Sequence, residues 1–223
     1  MSRIRRTINA IKLPNVESEM NPYRLYLVTD DQQDLETLKA VVTGAVAGGV
    51  TMVQVREKHG DVHAFIERAF AVKAILQGTG VPLIINDRVD VALAVDADGV
   101  HLGQSDMPAD TARRLIGKDK LLGLSIENEQ QLIDAESLPI DYVGLSAIFA
   151  TPTKSNTKKE WGIEGLRNAV AKCSFPIVAI GGINASNLDA IVGTNVDGVA
   201  LVSAICHAPS PKQATIDLLK QIG

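Results

Sequence analysis

Short apolar runs alternate along the chain with longer segments in which apolar residues recur at helical spacing. Each run is rich in β-forming residues and ends in polar or glycine residues, whereas most of the helical segments close on glycine. The predicted strands are Tyr23–Thr29, Val50–Val55, Leu83–Ile85, Gly99–Leu102, Leu121–Ser125, Tyr142–Phe149, Ile177–Ile180 and Gly198–Leu201. The predicted helices are Leu35–Ala47, Val62–Leu76, Val89–Ala97, Ala109–Ile116, Glu129–Glu136, Ile163–Cys173, Ala185–Val192 and Pro211–Ile222.

This alternation, with short connections, predicts an α/β protein built as a (β/α)8 TIM barrel rather than an open doubly wound sheet. With 223 residues and 46% hydrophobic content, the chain is long enough for one such domain. A weak internal repeat supports closure, because Asp98, Asp141 and Asp197 each open a predicted strand in the same way. We expect the barrel to span residues 23–223, after an N-terminal extension over residues 1–22 that is helical or disordered.

Charge and cysteine content narrow the range of partners. The formal net charge of -4 argues against nucleic acid or a membrane surface as a partner, so anionic ligands need local sites. Cys173 and Cys206 stand apart without partners at metal-ligand spacing, which fits a reducing cytoplasm. No apolar run reaches the ~18 residues that span a bilayer, and the first residues lack the apolar core of a secretory signal. We expect a cytoplasmic protein with small-molecule substrates, and the sequence leaves a homo-oligomer open.

Two carboxylates follow neighbouring strands of the predicted barrel. Asp87 comes after the third strand and Asp106 after the fourth, with a helix between the strands. Such a crossover makes the strands parallel, so both carboxylates lie at one rim. Two interpretations are open: the pair holds Mg²⁺ together with substrate phosphates, or each aspartate caps the helix that follows it.

The remaining strand ends supply further polar groups to the same rim, where active sites of such barrels lie. Gly181 and Gly182 after the seventh strand, with Val202 and Ser203 after the eighth, occupy the usual phosphate-binding positions. Lys58 is placed to neutralise a phosphate group beside a metal, although a solvated charge run is the alternative. A polar loop after the sixth strand is longer than most such connections and contains Thr151, Pro152, Thr153 and Lys154.

Together these motifs closely resemble the thiamine-phosphate synthase family. The resemblance runs from about Tyr23 to the C-terminus, and it departs from the family where Ser146, Ala147 and Ala150 stand in place of glycine and prolines. The matching motifs are Gln54-Val55-Arg56-Glu57-Lys58, Asn86-Asp87, His101-Leu102-Gly103-Gln104-Ser105-Asp106, Gly123-Leu124-Ser125, Thr151-Pro152-Thr153-Lys154 and Ile180-Gly181-Gly182-Ile183.

The resemblance implies a transferase that joins an aminopyrimidine diphosphate to a thiazole phosphate and releases diphosphate. It implies one Mg²⁺ held by Asp87 and Asp106, with Lys58, Lys154 and Ser125 as catalytic residues. The substrate-binding residues that it implies are Gln54, Val55, Arg56, Glu57, Lys58, Asn86, Ser125, Thr151, Pro152, Thr153, Lys154, Gly181, Gly182, Val202 and Ser203.

Two alternatives to this function stay open. A thiazole tautomerase relative would share the barrel, but Ile126, Glu127 and Asn128 occupy the place where those proteins use a histidine. A non-catalytic phosphate-binding barrel would keep the glycines after the seventh strand, yet it would not need Asp87, Asp106 and Lys58 together.

Overall fold

Eight parallel strands close into a barrel in the order of the sequence in the computed structural model, which describes residues 21–150 and 160–223. The strands are β1 (Leu25–Val28), β2 (Met52–Val55), β3 (Leu83–Asn86), β4 (Gly99–Leu102), β5 (Leu121–Ile126), β6 (Tyr142–Ser146), β7 (Ile177–Ile180) and β8 (Gly198–Leu201). The helices are α1 (Leu35–Gly48), α2 (Val62–Leu76), α3 (Val89–Ala94), α4 (Ala109–Ile116), α5 (Glu129–Ala135), α6 (Gly162–Lys172), α7 (Leu188–Val192), α8 (Ser203–Cys206) and α9 (Pro211–Ile222). The predicted (β/α)8 barrel is confirmed.

Three elements near the rim differ from the prediction: one predicted strand is shorter, α7 begins at Leu188 and not at Ala185, and one short helix was not predicted. The strand predicted to reach Phe149 ends at Ser146, although the apolar run continues and Ile148 is fully buried. Apolar sequence reports burial, and here the buried residues beyond the strand belong to the rim and not to the sheet. The short helix α8 was not predicted, because four residues are too few to show a helical period.

Helix starts follow the sequence where a capping side chain is present. Asp34 accepts a hydrogen bond from the Thr37 amide at 2.7 Å before α1, and Asp61 accepts one from Ala64 at 2.9 Å before α2. These bonds satisfy amides that have no partner in the first helical turn. They fix where each helix leaves the rim.

The repeated aspartates fasten the opposite end of the barrel. Asp98 accepts a hydrogen bond from the Leu83 amide at 2.8 Å, Asp141 from Leu122 at 2.7 Å, and Asp197 from Ile177 at 2.9 Å. Each carboxylate thus holds the start of the preceding strand. The internal repeat has a structural role away from the rim with the candidate site.

Side chains alternate between the barrel interior and the surrounding helices. An apolar interior cluster holds Tyr26 of β1, Met52 of β2, Ile84 of β3 and Tyr142 of β6. Because side chains two residues apart on a strand share a face, the interior positions nearer the rim can be read off, and on β2, β3, β4 and β5 they carry polar residues. Those positions are Gln54, Asn86, His101 and Ser125, and they lie above the apolar floor at the rim. Within the described ranges, no helix has the length and apolar content needed to cross a membrane.

Candidate active site

The two rim aspartates face each other. Asp87 follows β3 with a φ of 61°, in the left-handed region that most side chains avoid. Its amide donates to the His101 carbonyl at 2.8 Å, and this turn brings its carboxyl group within hydrogen-bonding reach of that of Asp106. Strained backbone of this kind is typical of functional sites.

The helix-capping interpretation of these aspartates is wrong. Helix α3 starts after Arg88 and α4 after Pro108, and within the described residues neither start has a side-chain cap. Asp106 instead accepts a hydrogen bond from the Gly103 amide at 2.6 Å, which closes the turn after β4. Both carboxylates are therefore directed to the rim.

Burial makes the acidic pair electrostatically unfavourable. Loss of hydration raises the pKa of Asp87 above its ordinary value, and the neighbouring Asp106 acts in the same direction. Lys58 opposes this rise, because its ammonium group donates to the Asp87 carboxylate. The pair is thus a site where additional positive charge stabilises the folded protein.

The segment after β2 is held against the loop after β1. Asp31, which the sequence analysis did not single out, accepts a hydrogen bond from the Lys58 amide at 3.1 Å. The same carboxylate lies 3.6 Å from the guanidinium of Arg56. Asp31 therefore sets the position of both basic residues at the rim.

The Glu57 side chain is paired with helix α2. Its carboxylate accepts a hydrogen bond from Arg68 of α2 at 2.6 Å, and Arg68 also donates to the Gln33 carbonyl at 2.8 Å. Burial raises the pKa of Glu57, and the adjacent Arg68 opposes that rise. Val55 is likewise directed away from the barrel interior, into the core between strands and helices.

Asn86 has an unsatisfied donor at the rim. The residue is only 7% exposed, and within the described part of the chain its buried Nδ2 atom has no hydrogen-bond partner. A buried amide without a partner costs free energy unless a ligand or water meets it. Its neighbours Gln54 and Ser125 also face the interior, so three amide or hydroxyl groups converge there.

The loop after β7 is closely packed against the segment that follows β6. Gly181 and Gly182 have φ values of 102° and 67°, and a Cβ atom at Gly182 would lie 2.7 Å from the Ala150 carbonyl oxygen. Both positions therefore require glycine. Val202 and Ser203 form the start of α8, the short extra helix that accompanies phosphate sites in such barrels.

Part of the predicted site lies outside the described residues, namely Thr151, Pro152, Thr153 and Lys154. Within the described ranges, no group of three or more histidine, cysteine, aspartate or glutamate side chains has metal-site geometry. Among the residues that the structure describes, the candidate metal ligands are the two facing carboxylates of Asp87 and Asp106.

A parallel (β/α)8 barrel with facing carboxylates, basic side chains and a glycine-rich loop at one rim defines an enzyme class that acts on phosphorylated small molecules. The family model described as thiamine monophosphate synthase matches residues 25–205. The chain belongs to the thiamine monophosphate synthase family, as the sequence predicted, and with it to the transferases of thiamine biosynthesis.

Individual relatives agree with this membership. A thiamine-phosphate synthase of Vibrio campbellii is 76% identical over 200 residues, which cover 90% of this chain and 98% of that protein. One from Albidiferax ferrireducens is 48% identical, with 89% and 91% covered. The solved thiamine phosphate pyrophosphorylase from Pyrococcus furiosus has a TM-score of 0.82 at 35% identity, with 91% of this chain and 96% of that chain covered.

Proposed function

We propose that this protein joins 4-amino-2-methyl-5-(diphosphooxymethyl)pyrimidine to a thiazole phosphate and releases diphosphate, forming thiamine phosphate. The observation that carries the proposal is the cluster of Asp87, Asp106 and Lys58 at the same rim as the glycine-rich loop of Gly181 and Gly182. Two phosphorylated reactants require two anion sites: one where cations stabilise the departing diphosphate, and a separate one for the other reactant's phosphate.

The carboxylate pair suits Mg²⁺. Burial and the neighbouring Asp106 raise the pKa of Asp87, so this pair of carboxylates is a favourable place for a hard cation, which prefers oxygen ligands and keeps room for substrate phosphates. Asp87 and Asp106 would hold the ion, and when bound it would stabilise negative charge on the departing diphosphate.

The protein's own residues would assist bond cleavage by charge. The bond between the pyrimidinylmethyl carbon and the diphosphate oxygen breaks, and its electron pair leaves on the diphosphate. Lys58 contacts Asp87, and Arg56 lies beside Asp31 on the same segment; both would stabilise that charge, and by the family resemblance Lys154 would do the same. The thiazole nitrogen then donates its lone pair to the carbon, so no general base is needed.

Positioning is assigned to the uncharged groups of the rim. Gln54, Asn86 and Ser125 face the barrel interior and would hold the pyrimidine diphosphate. Gly181, Gly182, Val202 and Ser203 would bind the thiazole phosphate, because they follow β7 and β8 at the usual phosphate-binding positions of such barrels and the start of α8 lies there. Val55 and Glu57 would support the site from behind.

Incubation with both substrates and Mg²⁺ tests the proposal. Thiamine phosphate and diphosphate should form in equal amounts, and neither should form in quantity when the thiazole phosphate is left out. Absence of thiamine phosphate with both substrates present would contradict the proposed function.

A further inference from the structure

A continuous chain of hydrogen bonds crosses the barrel interior beneath the candidate site. The Gln54 amide nitrogen donates to the Tyr26 hydroxyl at 2.6 Å, and Tyr26 and Tyr142 join their hydroxyls at 3.1 Å. His101 then links the Tyr142 hydroxyl at 3.0 Å to the Ser125 hydroxyl at 2.9 Å. These residues come from β1, β2, β4, β5 and β6, and we call them the polar relay.

Small residues leave space for the relay. A Cβ atom at Gly123 would lie 2.4 Å from His101 Nδ1 and 2.5 Å from the Tyr142 hydroxyl, which are the two atoms of one relay bond. A Cβ atom at Gly144 would lie 3.0 Å from the His101 ring. Glycine at these two interior positions is what lets the histidine and tyrosine rings meet.

The two tyrosines keep their protons. Burial raises the pKa of Tyr26 and that of Tyr142 well above the ordinary value for tyrosine, because a phenolate in the barrel interior loses its hydration. Each hydroxyl therefore both accepts one hydrogen bond and donates another. When two such hydroxyls are bonded in series, the donor and acceptor roles at one end of the chain determine those at the other end.

The donor-only end fixes that direction. Gln54 Nε2 has only hydrogens to give, so Tyr26 accepts from it and donates to Tyr142. When His101 carries its proton on Nε2, Tyr142 donates to Nδ1 and the Nε2–H group donates to Ser125. The two ends of the relay therefore offer opposite hydrogen-bonding groups to a ligand. Gln54 retains its carbonyl oxygen as an acceptor, and Ser125 retains its hydroxyl hydrogen as a donor.

The proposed pyrimidine substrate has complementary groups. Its 4-amino group carries the N–H donors, whereas its ring nitrogens and diphosphate oxygens accept. We propose that Tyr26, Tyr142 and His101 are positioning residues that fix the hydrogen-bonding polarity of Gln54 and Ser125, so that the site selects a 4-aminopyrimidine over its 4-oxo analogue. This inference rests on the proposed function and concerns residues beneath the ligand site.

Breaking the relay at its centre tests the inference. Tyr142 is fully buried, so Tyr142→Phe removes one hydroxyl without removing a ligand contact. The Gln54 amide can then rotate and offer its NH2 group to a 4-oxo ring. The ratio of the inhibition constant of the 4-oxo analogue to the KM of the amino substrate should fall by roughly tenfold, the scale of one misdirected hydrogen bond. The KM for the thiazole phosphate should stay unchanged.

Two further variants separate polarity from packing. Tyr23→Phe is the matched control, because the Tyr23 ring packs on Tyr142 with centroids 5.0 Å apart but is not part of the relay. Tyr26→Phe breaks the relay one bond earlier, and it serves if Tyr142→Phe does not fold. Selectivity should be retained in the control and lost in both relay variants, with no further loss in the double variant.

The outcomes distinguish the relay from the reaction. An active parent whose Tyr142→Phe and Tyr26→Phe variants keep parental selectivity would overturn the relay and leave the proposed function intact. Equal losses in Tyr23→Phe and the relay variants would also overturn it, since packing alone would then account for the effect. A parent that forms no thiamine phosphate would overturn the proposed function and, with it, the ligand assigned to the relay.

Discussion

The ammonium group of Lys58 donates a hydrogen bond to the carboxylate of Asp87, although Lys58 follows β2 and Asp87 follows β3. The lysine partly neutralises an acidic pair that burial makes unfavourable. In the proposed reaction both side chains act on the same diphosphate, Lys58 directly and Asp87 through Mg²⁺. Their contact would therefore bring the Lys58 ammonium group and the Mg²⁺ ion to the same diphosphate.

Replacement of either rim aspartate should reduce activity far more than it affects folding. Asp87→Asn and Asp106→Asn each remove ligand charge, so turnover should fall on the order of a hundredfold, or about 3 kcal/mol of transition-state stabilisation. Asparagine also tolerates the φ of 61° at position 87. Steady-state rates across a range of Mg²⁺ concentrations measure the effect.

Asp90→Asn provides the control for that experiment. Asp90 lies in α3 and pairs with Arg88 at 2.8 Å, so its charge is engaged outside the acidic pair. Its loss should leave turnover near the parental value. Full activity of both Asp87→Asn and Asp106→Asn at limiting Mg²⁺ would show that the metal assignment is wrong.

Asp87→Asn should also be more stable than the parent at neutral pH in metal-free buffer. Burial, aided by Asp106, raises the pKa of Asp87 from its ordinary value of 3.8, so the folded state binds this proton more tightly than the unfolded state. Ionisation of Asp87 therefore lowers the free energy of unfolding as pH rises above about 4. The variant lacks this ionisation, and its advantage should grow as pH rises above about 4 until Asp87 of the folded parent is ionised, as measured by urea unfolding.

Magnesium should reverse the relative stability of Asp87→Asn and the parent. Because a ligand that binds only the folded state stabilises it by mass action, Mg²⁺ should raise the unfolding midpoint of the parent and raise that of Asp87→Asn much less. Equal shifts in both proteins would indicate that the ion binds elsewhere.

The two anion sites should be separable by mutation. Ser203→Ala removes a hydroxyl from the first residue of α8, so the KM for the thiazole phosphate should rise roughly tenfold while that for the pyrimidine diphosphate stays near the parental value. Ser186→Ala is a suitable control, since the Ser186 hydroxyl already donates to Asn184 at 2.6 Å. A selective rise in the KM for the diphosphate substrate would reverse the assignment of the two sites.

The fold could be predicted because strand and helix periods report burial directly. Helices with a capping residue or a proline at their start were placed well, and α2, α4 and α9 have the predicted bounds. The end of β6 at the rim was harder to predict, because Ala147 and Ile148 are buried there without being in a strand. At that point apolar sequence no longer distinguishes a strand from a buried turn.

From the sequence, candidate site residues could be chosen at the strand ends, from polar or glycine positions and from the matching motifs. The sequence does not single out Tyr26 and Tyr142, because each resembles an ordinary apolar residue within a strand, and His101 is recognisable only as part of a motif. A signal was nevertheless present, since an interior position of an apolar strand that carries a polar side chain needs a partner across the barrel. Which side chains pair can be identified only from the closed sheet, which brings β4, β5 and β6 side by side.

The pair of Glu57 and Arg68 gives the last prediction, because the resemblance places Glu57 among substrate-binding residues whereas its carboxylate faces α2. Both side chains are largely buried, with 8% and 12% of their surfaces exposed. Removal of one partner leaves the other charge buried and unpaired, so Arg68→Met should lower the free energy of unfolding by about 3 kcal/mol. Adding Glu57→Gln to Arg68→Met should recover part of that loss, because the second charge is then gone.

Kinetics of the same variants decide whether Glu57 contacts the substrate. If the pair only braces the segment that carries Arg56 and Lys58, Glu57→Gln and Arg68→Met should raise the KM for the pyrimidine diphosphate to a similar, few-fold extent. The double variant should be no worse than either, since both substitutions remove one brace. A severe loss of turnover in Glu57→Gln together with near-parental turnover in Arg68→Met would instead place the Glu57 carboxylate on the substrate.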